Sequence, residues 1–74
     1  MTNTMYIVQN NTYGNLNRNK ILHKASVGSP VWTEVDQTHL FKYFEDITDA
    51  NIHMDHVDPE GKIERKVFAV KLTY

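Results

Sequence analysis

The stretch from His53 to Gly61, HMDHVDPEG, gathers the residues of this chain that are most able to do chemistry. Imidazole and carboxylate groups ligate metal ions, and they also transfer protons in catalysis. The spacing nevertheless favours a hairpin, because NIHMDHV alternates like a strand and DPEG has the residues of a tight turn. Gly61 takes a turn position that calls for a positive φ. Since His53 and His56 would then point to opposite faces of a strand, we predict no metal site.

Other catalytic groups are equally isolated in the sequence. Ser26 and Ser29 stand outside any nucleophile motif, and the chain has no cysteine. Its three glycines are scattered, so they do not build a phosphate-binding loop. A chain of 74 residues also has little room for a substrate cavity of roughly 300 Å³. We therefore expect a non-enzymatic protein that binds no cofactor.

The composition indicates one small folded domain that spans residues 1–74. The hydrophobic share of 41% is typical of a globular chain. The absence of cysteine excludes disulfides and thiolate zinc sites. No apolar run reaches the roughly 18 residues of a membrane span, and residues 1–10 do not resemble a signal peptide. These features predict a soluble protein of the cytoplasm, or of the host cytoplasm if a bacteriophage encodes it.

Charge is segregated along the chain, although the net charge is only −1. Residues 1–30 carry +3, residues 31–60 carry −7 and residues 61–74 carry +3. Such a pattern can reflect attraction between segments of the folded chain, or it can produce a surface with an acidic and a basic side. The sequence leaves both interpretations open.

The hydrophobic spacing predicts four strands and one helix. Strands are expected at residues 5–9, 20–27, 51–57 and 62–74. A helix is expected to begin at Val35 or Asp36, because a helical apolar stripe follows, made of Leu40, Phe41, Phe44 and Ile47. The order β-β-α-β-β predicts an α+β fold, in which a four-stranded, largely antiparallel sheet carries one helix packed on one face.

The two faces of this sheet are expected to differ. The helix should cover an apolar face that holds Met5, Ile7, Ile21, Ile52, Met54, Phe68, Val70 and Leu72. The other face would mix cationic and apolar side chains, namely Tyr6, Val8, Lys20, Leu22, Lys24, Val67, Ala69 and Lys71. A mixed surface of this kind is a candidate interface, so we predict a homodimer or a monomer that needs a partner.

Acidic residues near the end of the predicted helix indicate a binding surface. Glu45, Asp46 and Asp49 would lie where the helix dipole disfavours them, beside Tyr43 and near Asp55 of the next strand. An acidic patch with an aromatic member suits a basic protein surface. We therefore predict a protein-interaction module, such as a phage-type regulator or inhibitor that binds a host protein through this helix face or through a sheet edge.

Two alternative functions use other residues. A nucleic-acid-binding domain would use the basic sheet face and the 10–19 loop, through Tyr13, Arg18, Lys20, Lys24 and Lys71. The pI of about 6.4 disfavours this alternative. A metal-binding accessory subunit would use the histidines, with His23 as the donor that joins His53.

Overall fold

The computed structural model of the chain describes residues 2–73, with side chains from residue 3 onward. Its elements are, in order, β1 (Thr2–Asn10), β2 (Ile21–Leu22), β3 (Trp32–Thr33), a single 3₁₀ turn (Thr38–Leu40), α1 (Ile47–Val57) and β4 (Arg65–Thr73). The strands form one antiparallel sheet in the order β3-β2-β1-β4. The predicted α+β class, with four antiparallel strands and one helix, is confirmed. Within residues 2–73, no helix is long and apolar enough to cross a membrane.

The helix lies later in the chain than the hydrophobic spacing predicts. Residues 51–57, predicted to be a strand, belong to α1, so the elements follow one another as β-β-β-α-β. Asp46 caps α1, because its side chain accepts a hydrogen bond from the Thr48 N–H at 2.9 Å. The buried residues of α1 recur at helical spacing, and they are Ala50, Met54 and Val57. Residues 51–57 therefore follow this helical spacing and not the strand-like alternation of the sequence, so the strand predicted for the first half of the hairpin is wrong.

Two of the residues predicted to form the helical stripe, Phe41 and Phe44, lie instead in an extended segment between two diverging strands, whereas Leu40 ends the 3₁₀ turn and Ile47 begins α1. The Lys42 N–H donates to the Leu22 carbonyl at 2.8 Å, and Phe44 and Tyr6 exchange two backbone hydrogen bonds at 2.8 and 2.9 Å. Because side chains alternate along extended backbone, Phe41 packs on one sheet face and Phe44 packs on the other. Sheet pairing therefore overrides the helical spacing, in keeping with the β propensity of aromatic residues.

Apolar clusters lie on both faces of the sheet. The larger cluster, beneath α1, consists of Val8, Leu22, Phe44, Ala50, Met54 and Val57. The smaller cluster, on the opposite face, consists of Ile7, Ile21 and Phe41. The predicted faces are thus reversed, because α1 covers the side that holds Val8 and Leu22, both fully buried. That side is filled within the chain itself, so it is not the exposed interface that the sequence predicts.

The turn after α1 is the part of the predicted hairpin that is confirmed. Gly61 has a φ of +68°, and its N–H donates to the Asp58 carbonyl at 3.1 Å. The carboxylate of Asp58, a buried residue, accepts hydrogen bonds from the N–H groups of Lys62 at 3.1 Å and Ile63 at 2.8 Å. The Asp58 N–H donates to the Met54 carbonyl at 2.8 Å. Asp58 therefore ends α1 and directs the chain into β4.

The positive φ of Gly61 can be tested against a second glycine. A Cβ atom at Gly61 or at Gly28 would meet no other atom within 4 Å, so the two positions differ in backbone conformation and not in space. We expect Gly61→Ala to lower the free energy of unfolding by about 1 kcal/mol, because a positive φ strains any residue with a Cβ atom. Gly28→Ala should leave it unchanged or raise it slightly. Urea denaturation measures both, and equal effects would contradict the turn geometry.

Candidate interaction surfaces

Glu45, Asp46 and Asp49 lie at the N-terminal end of α1. The conflict with the helix dipole that the sequence predicts is therefore wrong, since carboxylates are favoured at this end. All three residues are exposed to solvent. Asp46 also provides the N-cap, so replacing it with lysine would remove the hydrogen bond to Thr48 and weaken the start of the helix. The acids thus stabilise α1 and still present their charge at the surface.

An exposed isoleucine lies at the centre of the outer face of α1. Ile52 is 61% exposed, and Ile47 in the first turn is 47% exposed. Helical spacing places Asp49 and Asp55 about one turn to either side of Ile52. The helix carries no lysine or arginine. We call this set of exposed residues the acidic helix surface: Glu45, Asp46, Ile47, Asp49 and Ile52.

Asp55 connects α1 to the first residue of β4. The Arg65 guanidinium donates to the Asp55 carboxylate at 2.6 Å and to the Asn51 carbonyl at 3.0 Å. The Asp55 side chain is 71% exposed, so this ion pair on its own adds little stability. The two hydrogen bonds instead fix the orientation of α1 relative to β4.

The structure does not bring Tyr43 to the acidic residues of α1. The Tyr43 ring packs against the smaller apolar cluster, with its centroid 6.0 Å from that of Phe41. Its hydroxyl donates to the Thr38 carbonyl at 2.8 Å. Because α1 covers the other face of the sheet, Tyr43 lies outside the acidic helix surface. The apolar member of that surface is Ile52, which sequence reasoning placed in a strand within the core.

The loop between β1 and β2 is held in shape by local hydrogen bonds. The side chains of Asn10 and Asn15 each accept a hydrogen bond from the N–H two residues later, at 2.9 and 2.8 Å. Gly14 provides a φ of +77°. The Thr12 hydroxyl accepts a hydrogen bond from the Glu64 N–H at 2.9 Å, which attaches the loop to the start of β4. These hydrogen bonds therefore hold the loop between β1 and β2 in one conformation.

The tip of this loop presents large side chains to solvent. Tyr13 is 88% exposed and Leu16 is 86% exposed. The Arg18 guanidinium carbon lies 5.5 Å from the centroid of the Tyr13 ring, a cation–π distance. Tyrosine and arginine are enriched among the residues that dominate binding energies. The loop tip, defined as Tyr13, Leu16 and Arg18, is thus a second candidate contact surface.

The lysines of the predicted nucleic-acid face are spread over the molecule. Lys20 lies at the base of the loop, where its carbonyl accepts a hydrogen bond from the Asn10 N–H at 2.9 Å, and its side chain forms a salt bridge with Glu34 at 3.3 Å. Lys71 is opposite Thr4 in the β1–β4 ladder, six residues along β1 from the loop, or about 20 Å. Lys24 lies beyond the end of β2, exposed to solvent. The structure therefore brings together Tyr13 and Arg18 of this predicted set.

A serine–histidine pair joins α1 to the connection between β2 and β3. The Ser26 hydroxyl donates to the Ser29 carbonyl at 3.0 Å, and its oxygen lies 3.0 Å from Nε2 of His53. With its one hydrogen donated to Ser29, the hydroxyl accepts the second hydrogen bond from His53. Ser26 is fully buried, so its hydroxyl is not presented to a substrate. Because the two residues are 27 positions apart in the chain, no local sequence pattern indicates this pair.

Two of the four histidines, His53 and His23, make contacts within the chain. Besides the bond to Ser26, the His53 ring lies 5.6 Å from the Phe44 ring. Nδ1 of His23 accepts a hydrogen bond from the Ala25 N–H at 2.9 Å. In the described part of the chain, no three His, Cys, Asp or Glu side chains gather closely enough to hold a metal ion. The helical position of residues 51–57 therefore does not supply a ligand set for the metal-binding alternative.

The burial of His53 has a consequence for stability. Desolvation, with smaller effects from the positive charges of Lys42 and His56, lowers the pKa of His53 from its ordinary value of 6.5. The unfolded chain then takes up a proton at this histidine more readily than the folded chain does. We therefore expect the free energy of unfolding to decrease as the pH falls below about 6.5.

This expectation can be measured by urea unfolding between about pH 7.5 and about pH 5.5. His53→Gln should reduce the loss of stability on acidification, because glutamine cannot take up the proton. His39→Gln, which changes an exposed histidine outside this contact, is the control. If the wild-type protein and His53→Gln lose the same free energy over this interval, His53 is not the source of the pH dependence.

Comparison with known proteins provides no relative from which a function could be transferred. No protein-family model matches the chain, and no curated protein or solved structure matches it. A functional interpretation therefore rests on the acidic helix surface, the loop tip and the edges of the sheet.

Proposed function

We propose that this chain is a non-enzymatic protein-interaction module that binds a basic protein through the acidic helix surface. The observation that carries the proposal is the position of Ile52, 61% exposed on a helix that also presents the carboxylates of Asp46 and Asp49, with the exposed Thr48 and His56 one turn to either side. A regulator or inhibitor of a host protein, of the type that bacteriophages encode, would act in this way.

The two kinds of side chain on this surface would have separate roles. The carboxylates of Glu45, Asp46 and Asp49 attract a basic surface over a distance and speed its association. Ile52 supplies apolar area, and full burial of an isoleucine side chain against a partner stabilises a complex by about 1.5–3 kcal/mol. The partner implied by this pairing has lysines or arginines around an apolar depression.

Both ends of α1 are fixed before any partner binds. Asp46 caps the first turn, and the Asp58 N–H bonds to the last turn while the Asp58 carboxylate holds the following loop. Arg65 attaches the helix to β4. A surface held in place in this manner loses little conformational entropy on binding, which favours affinity.

The proposal can be tested with a displayed library of random peptides selected against the wild-type protein. We expect the selected peptides to combine lysine or arginine with a large apolar residue. Ile52→Glu should weaken their binding about tenfold or more, since it removes the apolar contact. It should leave stability nearly unchanged, because glutamate is a good helix former at an exposed position. Val35→Glu makes a similar change at a residue that is 57% exposed outside α1, and it should bind as the wild type does.

Ionic strength provides an independent measurement on the same peptides. Binding that depends on the acidic helix surface should weaken as salt screens the carboxylates. Selected peptides that are acidic, or that bind Ile52→Glu and the wild type equally well, would contradict the proposal.

The loop tip supports a second candidate, binding of single-stranded nucleic acid. Exposed aromatic rings stack on bases, and the Tyr13 ring beside Arg18 has the exposure and the charge for such a contact. Fluorescence anisotropy with labelled single-stranded DNA and RNA at two salt concentrations tests it. If nucleic acid binds at the loop tip, its affinity for the wild type should fall steeply as the salt concentration rises. At a fixed salt concentration, Tyr13→Ala should bind more weakly than the wild type, and Leu16→Ala should bind as the wild type does. An absence of salt-sensitive binding removes this candidate.

A further inference from the structure

β4 forms one edge of the sheet along its whole length. All nine residues from Arg65 to Thr73 pair with β1 on one side, in a register without a bulge, and the sheet order places no strand on the other side within residues 2–73. The strand contains no proline. Long and regular edges of this kind are templates for pairing with another strand, and proteins usually interrupt them. The opposite edge of the sheet, β3, is only two residues long.

The pairing of β1 identifies the backbone groups that β4 leaves open. Tyr6 and Asn10 of β1 direct their N–H groups to Phe44 and Lys20, on the side away from β4. The odd-numbered residues of β1 therefore face β4, and their partners there are the even-numbered residues. The backbone groups that point outward along β4 belong to the remaining positions, which are Arg65, Val67, Ala69, Lys71 and Thr73.

We propose that β4 pairs antiparallel with β4 of a second copy about a two-fold axis at Ala69. This register sets Ala69 opposite Ala69 and Val67 opposite Lys71, and it uses all nine residues of each strand. It brings no two like charges directly opposite each other, an arrangement that would destabilise a pair of strands. A shift of the axis to Phe68 would set Arg65 opposite Lys71. A shift to Lys71 would set two copies of that lysine against each other.

Apolar contacts favour the Ala69 register, and its charges are compensated. On the helix side, Lys71 of one copy lies opposite Val67 of the other and diagonal to the cation Arg65, whose charge is balanced by the exposed Asp55 carboxylate that it binds. On the opposite side, Phe68 lies across from Val70 of the second copy, and this contact occurs twice by symmetry. Both are partly buried against the smaller cluster in one chain, so pairing would extend that cluster across the axis.

The proposed dimer is closed and leaves other surfaces accessible. A two-fold interface uses the same patch on both copies, so pairing through β4 stops at two chains. The short β3 edge offers no comparable template for further growth. Ile52 is exposed on α1 and is not one of the residues that pair in the proposed dimer. Self-association and the proposed binding of a basic protein therefore involve different residues and can fail independently.

Sedimentation equilibrium from low to high micromolar concentration tests the dimer on the full chain. We expect the wild type to be dimeric at high concentration. Ala69→Lys should raise the dissociation constant about tenfold or more, because two lysines then meet at the axis. Ala25→Lys, the same substitution at an exposed position in the β2–β3 connection, should not change it. An equimolar mixture of Ala69→Lys and Ala69→Glu should recover dimers, because the charges at the axis are then opposite.

Cross-linking gives a second readout that does not require a charged substitution. The chain has no cysteine, so a single introduced thiol reports on one position. Opposed residues in a hydrogen-bonded antiparallel pair have Cα atoms about 5.5 Å apart, within the range of a disulfide. Ala69→Cys should therefore form a covalent dimer on mild oxidation much faster than Ala25→Cys does. A wild type that stays monomeric throughout, or equal cross-linking of the two cysteine variants, would overturn the proposal.

Discussion

The rest of the structure depends on the antiparallel ladder between β1 and β4. It joins residues from opposite ends of the described chain, from Thr2 with Thr73 to Asn10 with Arg65, without a break. β1 also has partners on its other side, where it meets β2 and then Phe44. Because its side chains alternate between the two faces of the sheet, β1 contributes to both apolar clusters. Val8 packs in the larger cluster and Ile7 in the smaller. Without this ladder neither cluster would close.

The position of α1 follows from how the space beside β1 is filled. β2 pairs with β1 at Gln9 and Ile21 and then diverges, and the segment of residues 41–44 enters the gap and bonds to both strands. The chain leaves this segment at the Phe44–Tyr6 bridge, and Asp46 begins the helix two residues later. From this cap α1 runs over Val8 and Leu22 and packs against them. The outward direction of Ile52 and Asp49 is a result of that placement.

The sequence predicts the local turn correctly, but it does not decide whether an apolar segment follows helical spacing or strand alternation. The Asp58–Gly61 turn is correct because aspartate, proline and glycine each restrict the backbone wherever they occur. The helix was predicted too early because LFKYF satisfies helical spacing and strand alternation alike, and only the free backbone groups of Leu22 and Tyr6 decide between them. Because the helix begins later than predicted, Asp46 and Asp49 lie at its N-terminal end, where the helix dipole favours them, and not at its C-terminal end. The Ser26–His53 contact depends on tertiary packing, which no local pattern encodes.

The β1–β4 ladder also determines the order in which the chain can fold. Pairing Asn10 with Arg65 closes a loop of more than fifty residues, and the loop-closure entropy must be overcome before that contact stabilises anything. At the end of the ladder where the loop is shortest, the Asn11 N–H donates to the Glu64 carbonyl and the Glu64 N–H donates to the Thr12 hydroxyl. From there each further residue pair orders only two more residues, so the ladder can extend pair by pair toward Thr2 and Thr73. The β1–β2 loop is thus placed at the end of the ladder where pairing with β4 closes the shortest loop and costs the least entropy.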